Sequence, residues 1–291
     1  MPLLEQQISL LQQIYSWRTP YLDPFFRFLN YFDTEYFFIF LIPLIWFGFS
    51  WRWGLRIFYL LIFSSFVNAY CKDLFALPRP DPHFALILLN SYGFPSGAAQ
   101  TSLLLGSLLI HYGKKNWLWA LGLSYILLIS FSRLYLGVHY PLDLIGGWTI
   151  GLILFLLYLY LCPRIEAFFS KRSPLFALAA SVGIPLLFIA LYPHPKIIYL
   201  MSSMIAVGIG MLLSLHYKLY LKEPHGILHR LLPTAIAIAG AFLCYAVLQS
   251  REMLQMPSLF HLILQASTLG LWISLAASPL CKALINNSVR K

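Results

Sequence analysis

Three short segments carry polar residues in surroundings that are otherwise apolar. The first is Lys72-Asp-Leu-Phe-Ala-Leu-Pro-Arg79-Pro80, the second is Gly93-Phe-Pro95-Ser96-Gly97-Ala98, and the third runs from Ser132-Arg133 through His139 to Asp143. Their residue types suit work on a phosphoryl group. Lys72, Arg79 and Arg133 supply permanent cations for a dianion. Pro95-Ser96-Gly97 precedes a long apolar stretch, where free backbone N–H groups at a helix start form an anion site. Gly97 lets a ligand approach the backbone. Pro141 fits the first turn of a helix, so Asp143 falls in that turn and can reach back to His139. A carboxylate on one imidazole nitrogen fixes the tautomer and leaves the other nitrogen free as a nucleophile. One such segment alone could be snorkelling cations or a helix cap. Three on one face of a membrane would not be.

The elements that must position these residues follow from composition. The chain has 291 residues, of which 60% are hydrophobic and 10% charged. A soluble domain carries roughly 25% charge. The mean hydropathy of +0.75 agrees, and together they exclude a disordered chain, a collagen-like fibre and an ordinary soluble enzyme. The formal charge of +10 does not indicate nucleic acid, because the basic residues are spread along the chain in ones, twos and threes. The sequence therefore predicts an all-α, polytopic integral membrane bundle. A span needs roughly 20 apolar residues, and nine candidates are predicted, at 34–51, 55–76, 96–113, 116–136, 142–162, 174–192, 197–216, 230–249 and 258–281. Ahead of them Leu4, Ile8, Leu11 and Tyr15 recur at helical spacing among glutamines. This predicts an interfacial helix, with no cleavable signal peptide.

Alternate connections then sort the charges. Of the 20 Lys and Arg, 13 fall on one side, including Arg52, Arg56, Lys114, Lys115, Arg164, Lys171, Arg172, Lys218, Lys222, Arg230, Lys282, Arg290 and Lys291. Eight of the ten acids fall on the other side, with only Glu166 and Glu223 on the same side as the 13. The positive-inside bias puts this side in the cytoplasm, and the N-terminus and the three polar segments outside. Cys71, Cys162, Cys244 and Cys281 are far apart and read as isolated thiols, with no metal-ligand spacing.

Lys-x6-Arg-Pro, Pro-Ser-Gly-x and Ser-Arg-x5-His-x3-Asp, in this order, resemble the three-part signature of the type 2 phosphatidic acid phosphatase superfamily over residues 1–165. That superfamily includes integral-membrane lipid phosphatases and soluble vanadium haloperoxidases. The resemblance implies a phosphatase core of an interfacial helix and five spans. It implies that His139 attacks phosphorus to give a phosphohistidine, with Asp143 orienting it. Lys72, Arg79, Ser96, Gly97 and Arg133 would hold the phosphoryl oxygens, and neither metal nor cofactor is implied.

In one respect the sequence departs from the pattern. The family carries a His after Pro-Ser-Gly as general acid for the leaving group, and this chain has Ala98 followed by Ala99-Gln100. Three readings stand. Ala98 is a deliberate replacement, or the natural residue of an enzyme whose leaving group needs little protonation or which recruits another acid, or the mark of a non-catalytic relative. General acid catalysis is worth about 10²–10⁴-fold, so its loss impairs turnover more than binding. His83, just past Arg79-Pro80, is the substitute acid that the sequence offers. If Ala98 is natural, a lipid pyrophosphate, whose leaving group is a phosphate, becomes the better substrate.

Residues 172–291 add four spans with no comparable polar cluster. Ala206, Gly210 and Ser214, and Ala237 and Ala241, recur every four residues and favour close helix packing. This reads as an accessory module that shapes the substrate site or pairs copies of the chain. Lys218, Lys222, His225, His229 and Arg230 could meet anionic lipid heads. The expected activity is dephosphorylation of a lipid phosphate or pyrophosphate at the outer face of a cytoplasmic membrane, bacterial by this reading. The candidates are a polyprenyl (undecaprenyl-type) pyrophosphate, phosphatidylglycerol phosphate, phosphatidic acid, a sphingoid phosphate and the lipid A headgroup. The rivals are a lipid phosphotransferase and a non-catalytic lipid-phosphate binder or transporter.

Overall fold

The computed structural model describes residues 2–113, 115–221, 228–249 and 258–289. Lys114, Lys222, Glu223, His225, Arg251, Arg290 and Lys291, which entered the charge and headgroup assignments, lie outside the described residues, as does the side chain of His229. Among the described residues there are helices and no strands. The helices are α1 (Pro2–Ser16), α2 (Leu22–Leu29), α3 (Glu35–Gly48), α4 (Trp51–Phe75), α5 (Gly97–Tyr112), α6 (Asn116–Tyr135), α7 (Pro141–Ser170), α8 (Pro174–Leu191), α9 (Pro195–His216), α10 (Leu228–Gln249), α11 (Ser258–Leu271) and α12 (Ala277–Val289). Tight 3₁₀ turns occupy Asn30–Asp33 and Pro82–Phe84, and a π-helical turn, Trp272–Ala276, joins α11 to α12. Pro141, Pro174 and Pro195 open their helices, where the missing N–H costs nothing.

Among the described residues, seven helices are long and apolar enough to cross a membrane, or up to eight if the bent pair Leu22–Asp33 and Glu35–Gly48, kinked by 59°, makes one span. The chain is an integral membrane protein. The predicted spans at 34–51 and 96–113 come out shorter than expected. The helices there, α3 and α5, have 14 and 16 residues, or about 21 and 24 Å at 1.5 Å per residue, against a hydrocarbon core near 30 Å. Apolar composition carried both stretches past the ends of the helices. α5 starts late because Ser96 caps it, and α3 ends at Gly48 before α4 opens at Trp51.

The chain divides into two compact units. One holds residues 1–37 and 63–163, the other 38–62 and 164–291. In the first, α2 lies on α6. Phe26 stacks on Tyr135 with ring centroids 3.8 Å apart, and the Tyr135 hydroxyl donates to Asp23 Oδ1 at 2.7 Å. The interfacial-helix expectation needs correction at one of its four residues, Leu11. Leu11 and Ile14 of α1 are each 2% exposed. Ile14 joins Phe26, Leu29, Ala98, Ile129, Tyr135, Leu136 and Val138 in the core, so part of the apolar stripe of α1 faces protein and not lipid. Gly137 has φ +68°, and a Cβ there would stand 1.9 Å from the Phe84 carbonyl oxygen, so only glycine fits.

In the second unit the small-residue stripe is buried as expected: Ala206 packs at Gly270, and Gly210 at Ser274. Ala241 joins Ile39, Tyr245 and Leu269 in a separate core, and the indole N–H of Trp272 donates to the Ala237 carbonyl at 2.9 Å.

Candidate active site

The polar segments meet within the first unit. α6 ends at Tyr135, and the link through Gly137 leads to His139 and then to Pro141 at the start of α7. Asp143 falls in the first turn of α7, as predicted. Its Oδ2 lies 3.1 Å from His139 Nδ1 and accepts the Tyr140 N–H at 2.8 Å. Both side chains are buried. This leaves His139 Nε2 as the working nitrogen, 3.2 Å from Arg79 Nη1. Arg79 is itself fixed, since Nη1 donates to the Val138 carbonyl at 2.8 Å and Nε to the Ser91 carbonyl at 2.6 Å. Burial pushes the His139 imidazole down to about 4. The bond to Asp143 opposes the shift, and the charges of Arg79 and Lys72 reinforce it. At neutral pH the ring is therefore uncharged, with a lone pair on one nitrogen.

Lys72 ends α4 and donates to the carbonyl oxygens of Tyr92 and Gly93, the latter at 3.2 Å. Its charge is thereby set beside the loop that leads to Ser96. Ser96 is fully buried, and its hydroxyl accepts the Ala99 N–H at 3.4 Å as the N-cap of α5. Its own N–H donates to the Asp143 carbonyl at 2.9 Å, which ties the second segment to the third. A Cβ at Gly97 would stand 3.1 Å from Asn68 Oδ1.

Arg133 has a different surrounding. It is fully buried, and Nη1 donates to Asn30 Oδ1 at 2.8 Å and lies 3.5 Å from Asp33 Oδ2. The cations whose charge acts on His139 are Arg79 and Lys72. Ala98 is 2% exposed and sits in the apolar core with Leu29, Ile129 and Val138. The His83 ring is exposed and packs on Tyr15 and Phe84, and its backbone N–H donates to Asp81 Oδ1 at 2.8 Å. The structure gives His83 no bond to His139 or to the cations.

Sequence reasoning missed a buried amide network behind the loop. Gln100 Nε2 donates to the Ser64 carbonyl at 2.9 Å and to its hydroxyl at 2.8 Å. Asn68 Nδ2 donates to Gln100 Oε1 at 3.0 Å and to the Pro95 carbonyl at 3.3 Å. It also missed Asn30 and Asp33. The signal for the network was present, because Ser64, Asn68 and Lys72 are polar residues four apart on one face of an apolar helix.

A buried histidine backed by a carboxylate and faced by fixed cations has the residue types that phosphoryl transfer uses. Residues 53–166 match the PAP2 superfamily. The chain carries a PAP2 superfamily domain. It is 24% identical over 208 residues to lipid phosphate phosphatase delta of Arabidopsis thaliana, covering 65% of this chain and 50% of that protein. It is 30% identical over 168 residues to a dihydrosphingosine 1-phosphate phosphatase of Saccharomyces cerevisiae, covering 52% and 41%. It is 40% identical over 62 residues to an undecaprenyl-diphosphatase of Sulfolobus acidocaldarius, covering 21% and 30%. The chain thus spans half or less of the length of these relatives.

Proposed function

We propose that this PAP2 protein is a lipid phosphatase that hydrolyses a lipid phosphate or pyrophosphate through a phosphohistidine on His139. The observation that carries the proposal is the His139 geometry, with Nδ1 held by Asp143 at 3.1 Å and Nε2 beside Arg79 at 3.2 Å. The Nε2 lone pair attacks phosphorus as the bond to the leaving oxygen breaks. Arg79, Lys72 and the start of α5 at Ser96 and Gly97 offset the charge that builds on the phosphoryl oxygens. Asp143 stabilises the imidazolium that forms. Water then displaces His139 and releases phosphate. Residues 1–165 would supply this core and 172–291 the accessory module, with N-terminus and site outside and C-terminus in the cytoplasm, as the positive-inside bias supports.

Ala98 carries no proton for a leaving group. This favours a lipid pyrophosphate over a lipid monoester, since a phosphate leaves without being protonated and an alkoxide does not. The similarity to an undecaprenyl-diphosphatase of Sulfolobus lends the same support. Ala98 also favours a second reading, a lipid-phosphate binder without turnover. Phosphate release from a panel of lipid phosphates and pyrophosphates, measured for this chain and for Ala98→His, separates the two. Release that disappears in His139→Asn supports the enzyme. No release from either chain on any lipid sinks it, while labelled product without free phosphate identifies a phosphotransferase.

A further inference from the structure

Hydrolysis of a phosphohistidine requires water to lose a proton as its oxygen bonds to phosphorus. Ala98 cannot take it. Asp143 is committed elsewhere, because its Oδ2 holds both His139 Nδ1 and the Tyr140 N–H, on the side of the ring away from Nε2. The His83 ring packs on Tyr15 and Phe84. A carboxylate that pairs with one of the cations is Asp33, 3.5 Å from Arg133 Nη1, at the end of the 3₁₀ turn Asn30–Asp33 and outside residues 53–166.

Asp33 is placed for this task in three ways. Its Oδ2 is 3.5 Å from Arg133 Nη1, and its side chain stays 30% exposed while that of Arg133 is fully buried, so water can reach the carboxylate. The carboxylates whose charge acts on Arg79 are Asp143 and Asp33, and Arg79 Nη1 is the atom 3.2 Å from His139 Nε2. Arg79 thus has the nucleophile on one side and Asp33 within electrostatic reach. Finally, Arg133 Nη2 is buried with no hydrogen-bond partner among the described residues, which leaves a donor for a phosphoryl oxygen next to that carboxylate.

We propose that Asp33 is a further catalytic residue of this site, the general base that activates water against the phosphohistidine. The inference rests on the phosphatase reading. In the first half-reaction Nε2 bonds to phosphorus, and the leaving lipid phosphate departs with the electron pair and needs no proton. In the second, the water oxygen bonds to phosphorus and its proton passes to Asp33. The P–N bond breaks with its pair returning to Nε2, and Asp33 then gives the proton to solvent. A carboxylate, ionised at neutral pH, accepts protons more readily than it donates them. Such a base would allow turnover with Ala98 and favour leaving groups that need no acid.

The test uses the full chain in nanodiscs, with radiolabelled farnesyl diphosphate as probe, and follows acid-labile label on the protein beside phosphate release. Asp33→Asn keeps a polar partner for Arg133 but cannot take the proton. Label should form within about threefold of the parent rate, while release falls about 10²-fold or more and labelled protein accumulates. Asp33→Glu should recover part of the release. Parallel loss of labelling and release in Asp33→Asn, or release at the parent rate, overturns the proposal. If Asp33→Asn does not fold, Asp33→Ser is assayed with added formate; rescue of release supports the base and no rescue overturns it. His139→Asn should take no label. A parent chain with neither label nor release overturns the phosphatase reading, and the role of Asp33 with it.

Discussion

The His139 imidazole should remain neutral well into the acid range, and the effect is large enough to measure directly. Burial together with Lys72 and Arg79 takes it to about 4, with the Asp143 bond acting the other way. At pH 5 an ordinary histidine near 6.5 would be about 3% neutral, whereas one near 4 is about 90% neutral. In the proposed reaction the neutral ring is the nucleophile, so its supply is complete at high pH and is lost only as pH falls through about 4. Between pH 7 and pH 5 the nucleophile fraction should change by about a tenth, where an unperturbed histidine would lose about 25-fold. Nitrogen NMR of the chain labelled at its 8 histidines reads this without substrate, with His139→Asn assigning the signal. The signs of two further variants are fixed by the same causes. Lys72→Met should raise the midpoint, and replacing Asp143 by Leu should lower it. A His139 midpoint near 6.5, or shifts of the opposite sign, would refute the claim that burial and cations hold the ring neutral.

Other consequences follow from the same geometry. Asp143→Asn can keep both bonds but turns a charge-assisted acceptor into a neutral one, worth about 1–2 kcal/mol; label formation on His139 should slow about 10–30-fold in rapid-quench assays. Gln100→Leu removes the partners of the Ser64 carbonyl and the Asn68 amide, all buried. Thermal unfolding in detergent should show a loss of about 2–4 kcal/mol. Gly137→Ala forces a Cβ to within 1.9 Å of the Phe84 carbonyl oxygen at positive φ. The loop that carries His139 should be displaced, with loss of both folded yield and labelling.

The site was legible where chemistry was concentrated in few residues. Cations in an apolar sequence cost too much to be casual, so Lys72, Arg79 and Arg133 were visible, and Pro141 fixed the register that brings Asp143 back to His139. Asn30 and Asp33 were not visible, because a short polar turn between apolar helices looks like any connection. Their place beside Arg133 depends on α2 docking on α6 through Phe26 and Tyr135. Helix type was legible from composition, but two of the lengths were not. Hydropathy cannot distinguish a span from a buried helix that falls short, and α5 begins only after Ser96, whose N–H is tied to the Asp143 carbonyl.

The N-terminal segment joins the fold to the chemistry. Ile14, Phe26 and Leu29 pack the methyl of Ala98 into an apolar core, and an imidazole buried there would need a hydrogen-bond partner to offset its desolvation. A few residues further on, the same segment supplies Asn30 and Asp33 to Arg133. One stretch of chain thus packs around the position where a proton donor would stand and sets a carboxylate beside Arg133. Phosphoryl transfer to His139 and its hydrolysis would then draw on different protein groups. Lys72, Arg79 and Asp143 govern the first, and Asp33 with Arg133 governs the second. An enzyme divided in this way is limited by its leaving group in the first step and by its base in the second. Substrate preference and turnover should therefore respond to different mutations.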